Sequence, residues 1–317
     1  MVTGICLFLV NISFAFFSLQ TVADDPDTNA AVSQLRGTTL PTHRHAIPNV
    51  LIFTHHINLL TETFSFSSNN SKDQPLSPEQ TELLALQANV HNVIALHPTA
   101  TVRFLTDADC IDSIRRMYQH NTTLANEFVD YFTREPTGMF KADLCRGVAL
   151  YETGGLYIDV DLGVRLPLFT VLRTTTQFAT VRVHRQSKHP GAFFQAFTAA
   201  TPGHAVIRRY VELFLDHYQS QRTIDGPLGV MFLKQAFDAV APPNATVELW
   251  HEALYNPDIQ DTILKDVPPP TWGYRRACKF IVITEPKIPV IVPFYSRIAG
   301  SRMCPVNTDA QNRTKES

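Results

Sequence analysis

No excess of either charge marks this 317-residue chain: 27 Lys and Arg stand against 29 Asp and Glu, a formal net charge of −2. A nucleic-acid partner is excluded on that ground, because binding a phosphate backbone needs a basic footprint. There is no internal repeat and no long run of one charge sign. The five cysteines, Cys6, Cys110, Cys145, Cys278 and Cys304, form no Cys-x-x-Cys pair and no Cys/His spacing of the zinc type. What remains is ordinary globular material, with 44% apolar and 18% charged residues. The length allows one large domain or two small ones, with an ample core.

Residues 4–19, GICLFLVNISFAFFSL, form an uncharged and largely apolar start. Two readings fit it. A cleaved signal peptide would use the small residues of Thr21-Val22-Ala23, whereas a signal-anchor wants nearer to about twenty apolar residues and is interrupted by Asn11. Residues 1–23 are therefore expected to be a targeting segment, 24–46 a polar flexible stem, 47–304 the folded body and 305–317 a tail. The body then faces the secretory lumen, that of the Golgi by expectation, or the outside, and touches membrane only through an N-terminal anchor. Sequons at Asn69, Asn121, Asn244 and Asn312, with one more at Asn11, agree with a lumenal body. The four cysteines beyond the apolar start permit two disulfides in three connectivities. Cys278 with Cys304 is the expected staple, while Cys145 reads equally as a small buried hydrophobe or as a bridge.

Short apolar strands alternate with amphipathic helices. Ile47–Phe53 reads as a first buried strand, followed by His55 and His56; within a strand, adjacent histidines point to opposite faces and make a poor metal pair. Ser65–Ser77 is a polar loop, and Ser77-Pro78-Glu79-Gln80 opens a helix. Thr101–Leu105 is a strand, Asp107 a helix cap, and Thr122–Phe132 a core-facing helix. Later elements are a strand over Gln177–Val183, a helix over Ala205–Tyr218, a helix over Val230–Val240, and strands near Phe280–Thr284 and Val290–Val292. The alternation predicts an α/β domain with a mainly parallel sheet flanked by helices.

The most informative stretch is Phe140–Leu168, FKADLCRGVALYETGGLYIDVDLGVRLPL. Phe140, Leu144 and Val148 give its first half a helical apolar face. Asp143 and Arg146, three apart, project from one side of that helix. Gly147 lets another backbone or a ligand come close. After Gly154-Gly155, a buried strand Leu156-Tyr157-Ile158 delivers Asp159 and Asp161, whose spacing of two sends both carboxylates to one side. Carboxylates are costly to bury unpaired, and a hard divalent cation would compensate them.

This run resembles the DXD region of glycosyltransferase family 32, the alpha-mannosyltransferase-like proteins related to the catalytic domains of large clostridial glucosylating toxins. Asp143, Arg146, Leu150, Tyr151, Gly154, Gly155, Tyr157, Asp159 and Asp161 meet its pattern in order and at its spacing. The resemblance covers roughly residues 47–240 and implies the GT-A nucleotide-sugar transferase fold. It further implies a GDP- or UDP-hexose donor, a glycan, lipid or protein acceptor, and Mn²⁺ or Mg²⁺ as cofactor. By the same resemblance Asp161 is the metal ligand, Asp159 serves the ribose and metal shell, and Asp143 and Arg146 bracket the donor sugar. Tyr157 joins the donor site. Asp225-Gly226-Pro227-Leu228-Gly229 resembles the family's Thr-Gly-Pro loop, where the N–H groups of Gly226 and Gly229 would meet a phosphate or a sugar hydroxyl; a plain helix-start turn is the alternative. The family's Trp after the first strand is replaced by the His55–His56 region, and its C-terminal His before Gly-Ser-Trp has no counterpart. The expected function is retaining hexosyl transfer. A sugar-binding relative without turnover and a nucleotide-sugar hydrolase are the alternatives.

Overall fold

The computed structural model describes residues 45–62, 77–185, 189–220, 226–254, 280–284, 289–293, 295–296 and 302–303. All fall in one compact unit, Arg44–Ser317. The targeting segment, most of the stem, most of the 65–77 loop, Cys278, Cys304, the sequons at Asn11, Asn69 and Asn312, and the tail lie outside them. Among the described residues no helix is long and apolar enough to cross a membrane.

Strand β1 (Val50–Thr54) sends alternate side chains to opposite faces: Ile52 joins one hydrophobic cluster, Leu51 and Phe53 the other. Strand β3 (Gly155–Ile158) repeats this, with Tyr157 on the first face and Leu156 and Ile158 on the second. Two apolar faces need two helical layers. Helices α2 (Asp107–Met117), α3 (Thr122–Arg134), α4 (Gly138–Thr153), α6 (Ala205–Ser220) and α7 (Leu228–Val240) cover the first through residues such as Ile114, Phe128, Val148, Phe214 and Phe232. Helix α1 (Pro78–Ala95) covers the second through Leu86, Val90 and Val93, joined by Leu168 of the short α5 (Leu168–Val171).

The other strands are β2 (Thr101–Leu105), β4 (Leu162–Val164), β5 (Phe178–Arg182), β6 (Phe193–Ala200), β7 (Val247–Leu254), β8 (Phe280–Ile283) and β9 (Pro289–Pro293). They complete a nine-stranded sheet in the order β2-β1-β3-β6-β5-β7-β8-β9-β4, beside a two-stranded pair, β10 (Tyr295–Ser296) with β11 (Arg302–Met303). The α/β architecture with flanking helices is the expected one. Pairing is parallel where helices cross over, at β1–β2, β1–β3 and β5–β7. It is antiparallel at β3–β6, β5–β6, β7–β8, β8–β9 and β4–β9. The return from β5 to β6 is too short for the crossover that a parallel neighbour needs.

Local signals act as expected in several places. Ser77 Oγ accepts from Gln80 N–H at 3.2 Å and Gln80 Oε1 accepts from Ser77 N–H at 2.9 Å, closing the capping box of α1. Asn121 caps α3 by accepting the N–H of Leu124. Helix α4 ends where Gly154 takes φ +63°, and Gly155 at φ +119° enters β3 so close to β1 that a Cβ there would stand 2.5 Å from the Val50 carbonyl.

One expectation is corrected. Asp107 does not cap α2; Asp109 does, accepting from both the N–H and the hydroxyl of Thr106, while Asp107 pairs with Lys141 at 2.9 Å. Among the described residues a disulfide joins Cys110 to Cys145, with Cα atoms 5.2 Å apart, because α2 and α4 pack together and bring both cysteines into the first-face core; it is compatible with the expected Cys278–Cys304 staple, which lies outside the described residues. Cys145 is thus both buried and bridged.

Candidate active site

The end of β3 opens into a cleft of ≈ 710 Å³. Its walls come from the segment after β1 (Thr54, His55, His56), from Glu82 and Leu86 of α1, from the α3–α4 connection and first turns of α4 (Glu135, Pro136, Met139, Lys141), and from the β3 end itself (Asp159, Val160, Asp161). Arg146, Tyr157 and Gln195 form the floor. Ligands of open α/β sheets bind beyond the carboxyl ends of the strands, and this cleft is so placed.

Arg146 organises the floor. One of its terminal nitrogens, Nη2, lies 3.0 Å from Asp143 Oδ1 and 3.2 Å from Asp159 Oδ1. Its guanidinium carbon sits 4.5 Å from the centre of the Tyr157 ring, a cation–π contact. Burial alone pushes this group toward neutrality, but Asp159, Tyr157 and Asp143 outweigh it and hold Arg146 firmly charged. The Tyr157 hydroxyl donates to Asp159 Oδ1 at 2.6 Å and so uses its single proton, which makes Thr54 Oγ1, 2.9 Å away, its donor. Burial raises the Tyr157 hydroxyl well above its ordinary pKa, so it stays a donor.

Asp143 stands behind Arg146. It is fully buried and lies outside the cleft lining. Its carboxylate accepts the backbone N–H of Gly229 at 3.2 Å and a side-chain hydrogen bond from Gln195. Burial pushes its pKa up to about 6, against the opposing pull of Arg146. Gly226 and Gly229 also lie outside the lining, and the Gly229 N–H expected to meet a donor phosphate is given to Asp143. A Cβ at Gly147 would stand 2.8 Å from Val211 and 2.9 Å from Tyr210, so that glycine serves the approach of α4 to α6 rather than a ligand.

The structure therefore brings Arg146, Tyr157, Asp159 and Asp161 together at the cleft, sets Asp143 one layer deeper, and leaves Gly226 and Gly229 outside the lining. His55 and His56 stand past the end of β1, so strand alternation does not separate them: their ring centroids are 4.2 Å apart, both in the cleft wall. His204 accepts the N–H of Val206 at the start of α6 and stacks on Phe178.

Three residues were missed in the sequence. Thr54 is the last residue of β1, one position past the expected strand Ile47–Phe53, and carried no signal of its own. Lys141 sits two residues before Asp143, in the motif helix, and pairs with Asp107 across the cleft wall. Gln195 had a visible signal, an amide inside the apolar run FFQAFTAA. Its Oε1 and the Nη1 of Arg146 are buried without a hydrogen-bond partner among the described residues. One unused acceptor and one unused donor in the same floor are what a ligand hydroxyl satisfies.

The donor chemistry of Asp159 and Asp161 fits a hard divalent ion. Both are partly exposed carboxylates in the cleft lining. Among the described residues no cluster of three or more His, Cys, Asp or Glu forms a closed cage. Two carboxylates suit Mg²⁺ or Mn²⁺, which keep water and take the rest of their shell from substrate phosphates.

Residues 85–179 match the family described as "Glycosyltransferase sugar-binding region containing DXD motif", a span that runs from α1 through the carboxylates to β5. This is a glycosyltransferase-like sugar-binding domain. Comparison with curated protein sequences finds no match. Among solved structures the chain is similar to the "PaToxG Glycosyltransferase", at 13% identity over 62% of this chain and 70% of that one, with a TM-score of 0.35. It is also similar to a "glycosyltransferase involved in the glycosylation of the major capsid of PBCV-1", at 8% identity over 63% and 80%, with a TM-score of 0.28. A mutant transferase matches at 8% identity over 61% and 86%, with a TM-score of 0.30.

Proposed function

We propose that this protein is a metal-dependent glycosyltransferase of the family 32 kind, which moves a hexose from GDP- or UDP-hexose to a glycan, lipid or protein acceptor with retention of configuration. The observation that carries the reading is the joining of Arg146 to Asp159 in the cleft floor, with Asp161 two residues further on. Asp159 and Asp161 would hold Mn²⁺ or Mg²⁺, which neutralises a diphosphate leaving group as the sugar departs. Arg146 supplies fixed positive charge and an unused N–H for a donor hydroxyl, and Gln195 supplies the matching acceptor. Tyr157 holds Asp159 in place by its hydroxyl, and Asp143 holds Arg146 and Gln195 from behind.

The cleft lining also includes Pro136 and the exposed Met139, apolar surface that an acceptor would meet. The apolar run at residues 4–19 and the exposed sequons Asn121 and Asn244 support a lumenal site of action. A panel of GDP- and UDP-hexoses with Mn²⁺, run with wild type and Asp161→Asn, tests the proposal. Turnover by wild type that the variant loses is the expected result. Donor binding without turnover, across a range of acceptors, would overturn it in favour of a binding protein.

A further inference from the structure

Helix α1 buries one side against the sheet, and that side carries an amide. Asn89 is only 3% exposed and sits between Leu86, Val90 and Val93, which pack on the second face of the sheet. Asparagine is a poor residue for a helix interior, and burying it unpaired is costly. Here it is paired. Its side-chain Nδ2 donates to the carbonyl of Val160 at 2.9 Å and to the carbonyl of Leu162 at 2.8 Å. These two residues flank Asp161. One amide nitrogen thus chelates the carbonyls of the two residues on either side of a cleft carboxylate.

The rest of the turn is tied from the sheet. The N–H of Asp159 donates to Ala196 O at 2.9 Å, and the N–H of Leu162 closes the turn on Asp159 O at 3.1 Å. The same helix holds neighbouring segments in the same manner. Gln87 donates to the carbonyls of Leu59 and Glu62 beyond β1, and His97, just past the helix end, accepts the N–H of Leu168 at 2.8 Å. Among these contacts, only the Asn89 pair brackets a residue assigned to the reaction.

We infer that Asn89 is a positioning residue for the Asp159–Asp161 turn, holding Asp161 in the orientation in which it meets a divalent cation. This rests on the reading of Asp159 and Asp161 as the metal carboxylates. Groups behind a metal ligand orient it and set affinity, and their loss typically weakens metal binding about 10–100-fold.

The test uses the full chain as wild type, Asn89→Leu, Asn89→Ser, Asn92→Ala and Asp161→Asn, titrated with Mn²⁺ alone and read by the electron paramagnetic resonance of free Mn²⁺. Leu fills the same space without a donor, Ser keeps one donor in a smaller side chain, and Asn92 is an exposed position on the same helix. Thermal melts fix a working temperature at which every variant is folded. Hydrogen exchange of the Leu162 amide reports the turn with no metal present. The expected result is Mn²⁺ affinity lowered about 10–100-fold in Asn89→Leu, an intermediate loss in Asn89→Ser, and no change in Asn92→Ala. The Leu162 amide should exchange faster in Asn89→Leu. A lowered melting temperature with unchanged Mn²⁺ affinity and unchanged exchange would make Asn89 merely structural and overturn the inference. Equal Mn²⁺ binding by wild type and Asp161→Asn would overturn the metal reading and this inference with it, and faster Leu162 exchange alone would then identify the metal reading as the part at fault.

Discussion

The backbone N–H of Gly229, in the first turn of α7, donates to Asp143 Oδ2 at 3.2 Å, and a Cβ at Gly229 would lie 2.4 Å from that same oxygen. No side chain fits between α7 and α4 there. Gly229→Ala must displace the carboxylate that braces Arg146, or push the helices apart. The expected loss of stability is that of overpacking, about 1–3 kcal/mol, with donor turnover falling further than a stability loss explains. Denaturant melts and turnover on the same preparation check it. Wild-type turnover in Gly229→Ala would show that the Asp143 brace is not needed.

Arg146→Lys should fail although charge is kept. A guanidinium meets Asp143 and Asp159 from one nitrogen while its plane lies against the Tyr157 ring; an ammonium is a point charge without that plane. Misplacing Asp159 by an ångström predicts a fall in turnover of roughly 100-fold. A Lys variant within threefold of wild type in kcat/KM, to an order of magnitude, would place the cation role elsewhere.

The acidic limb of activity should follow Asp143. Burial raises its pKa to about 6. Above that value the carboxylate is charged and pairs with Arg146; below it, the pair loses a partner. Activity should fall as pH drops through about 6, about tenfold per unit for a single proton. The fold behaves oppositely. A carboxyl whose folded pKa is raised contributes stability that is present below its ordinary value of 3.8 and is lost as pH rises through about 6. Activity lost on acidification, while the stability difference between wild type and Asp143→Asn moves in wild type's favour, is therefore the signature. An activity limb shared by Asp143→Asn would assign it to another group.

How much of this was legible in the sequence follows from range. Local rules read the capping box at Ser77, the helix over the motif and the strand that delivers Asp159, because each depends on neighbours within a few residues. The pairing of Asp159 with Arg146 was within reach, since a helix, a Gly-Gly turn and a strand fix their relation. Gly229 was misread because its N–H lies at the start of a helix, where anions bind, but 86 positions away the chain had already supplied the anion in Asp143. Asn89 lies 71 positions from Val160 and 73 from Leu162, and Gln195 reaches a site built by other elements. Such partners have no signature in spacing.

The Cys110–Cys145 bridge ties α2 to α4 one residue before Arg146. It closes a separation of 35 residues, for which chain entropy gives about 4 kcal/mol. Peptide mapping without reduction should recover the two cysteines joined. The Cys110→Ser/Cys145→Ser variant should lose about that amount in denaturant melts. Because both side chains are buried, thiol reductant should act only once denaturant opens the core. Recovery of either cysteine as a free thiol in the native protein would remove the bridge from the fold.

His97 should set part of the pH dependence of stability. It is 4% exposed, its Nε2 accepts the N–H of Leu168 at 2.8 Å, and its Nδ1 lies 2.7 Å from Val93 O, which makes Nδ1 the protonated nitrogen. A second proton would have to go onto Nε2, against the Leu168 N–H. Burial lowers the pKa below its ordinary 6.5, and the Val93 carbonyl only partly restores it. The unfolded chain then takes up a proton near 6.5 that the fold refuses. The stability so gained is present above that value and is lost as pH falls toward the lower folded pKa. His204 and His217 are also lowered by burial, and Asp143 acts in the opposite sense, so the wild-type curve alone does not isolate His97. The difference between wild type and His97→Gln does. Just below the ordinary value, wild type should lose up to about 1.4 kcal/mol per pH unit more than the variant. Parallel stability curves for the two proteins would show that the ring stays neutral or stays charged in both states.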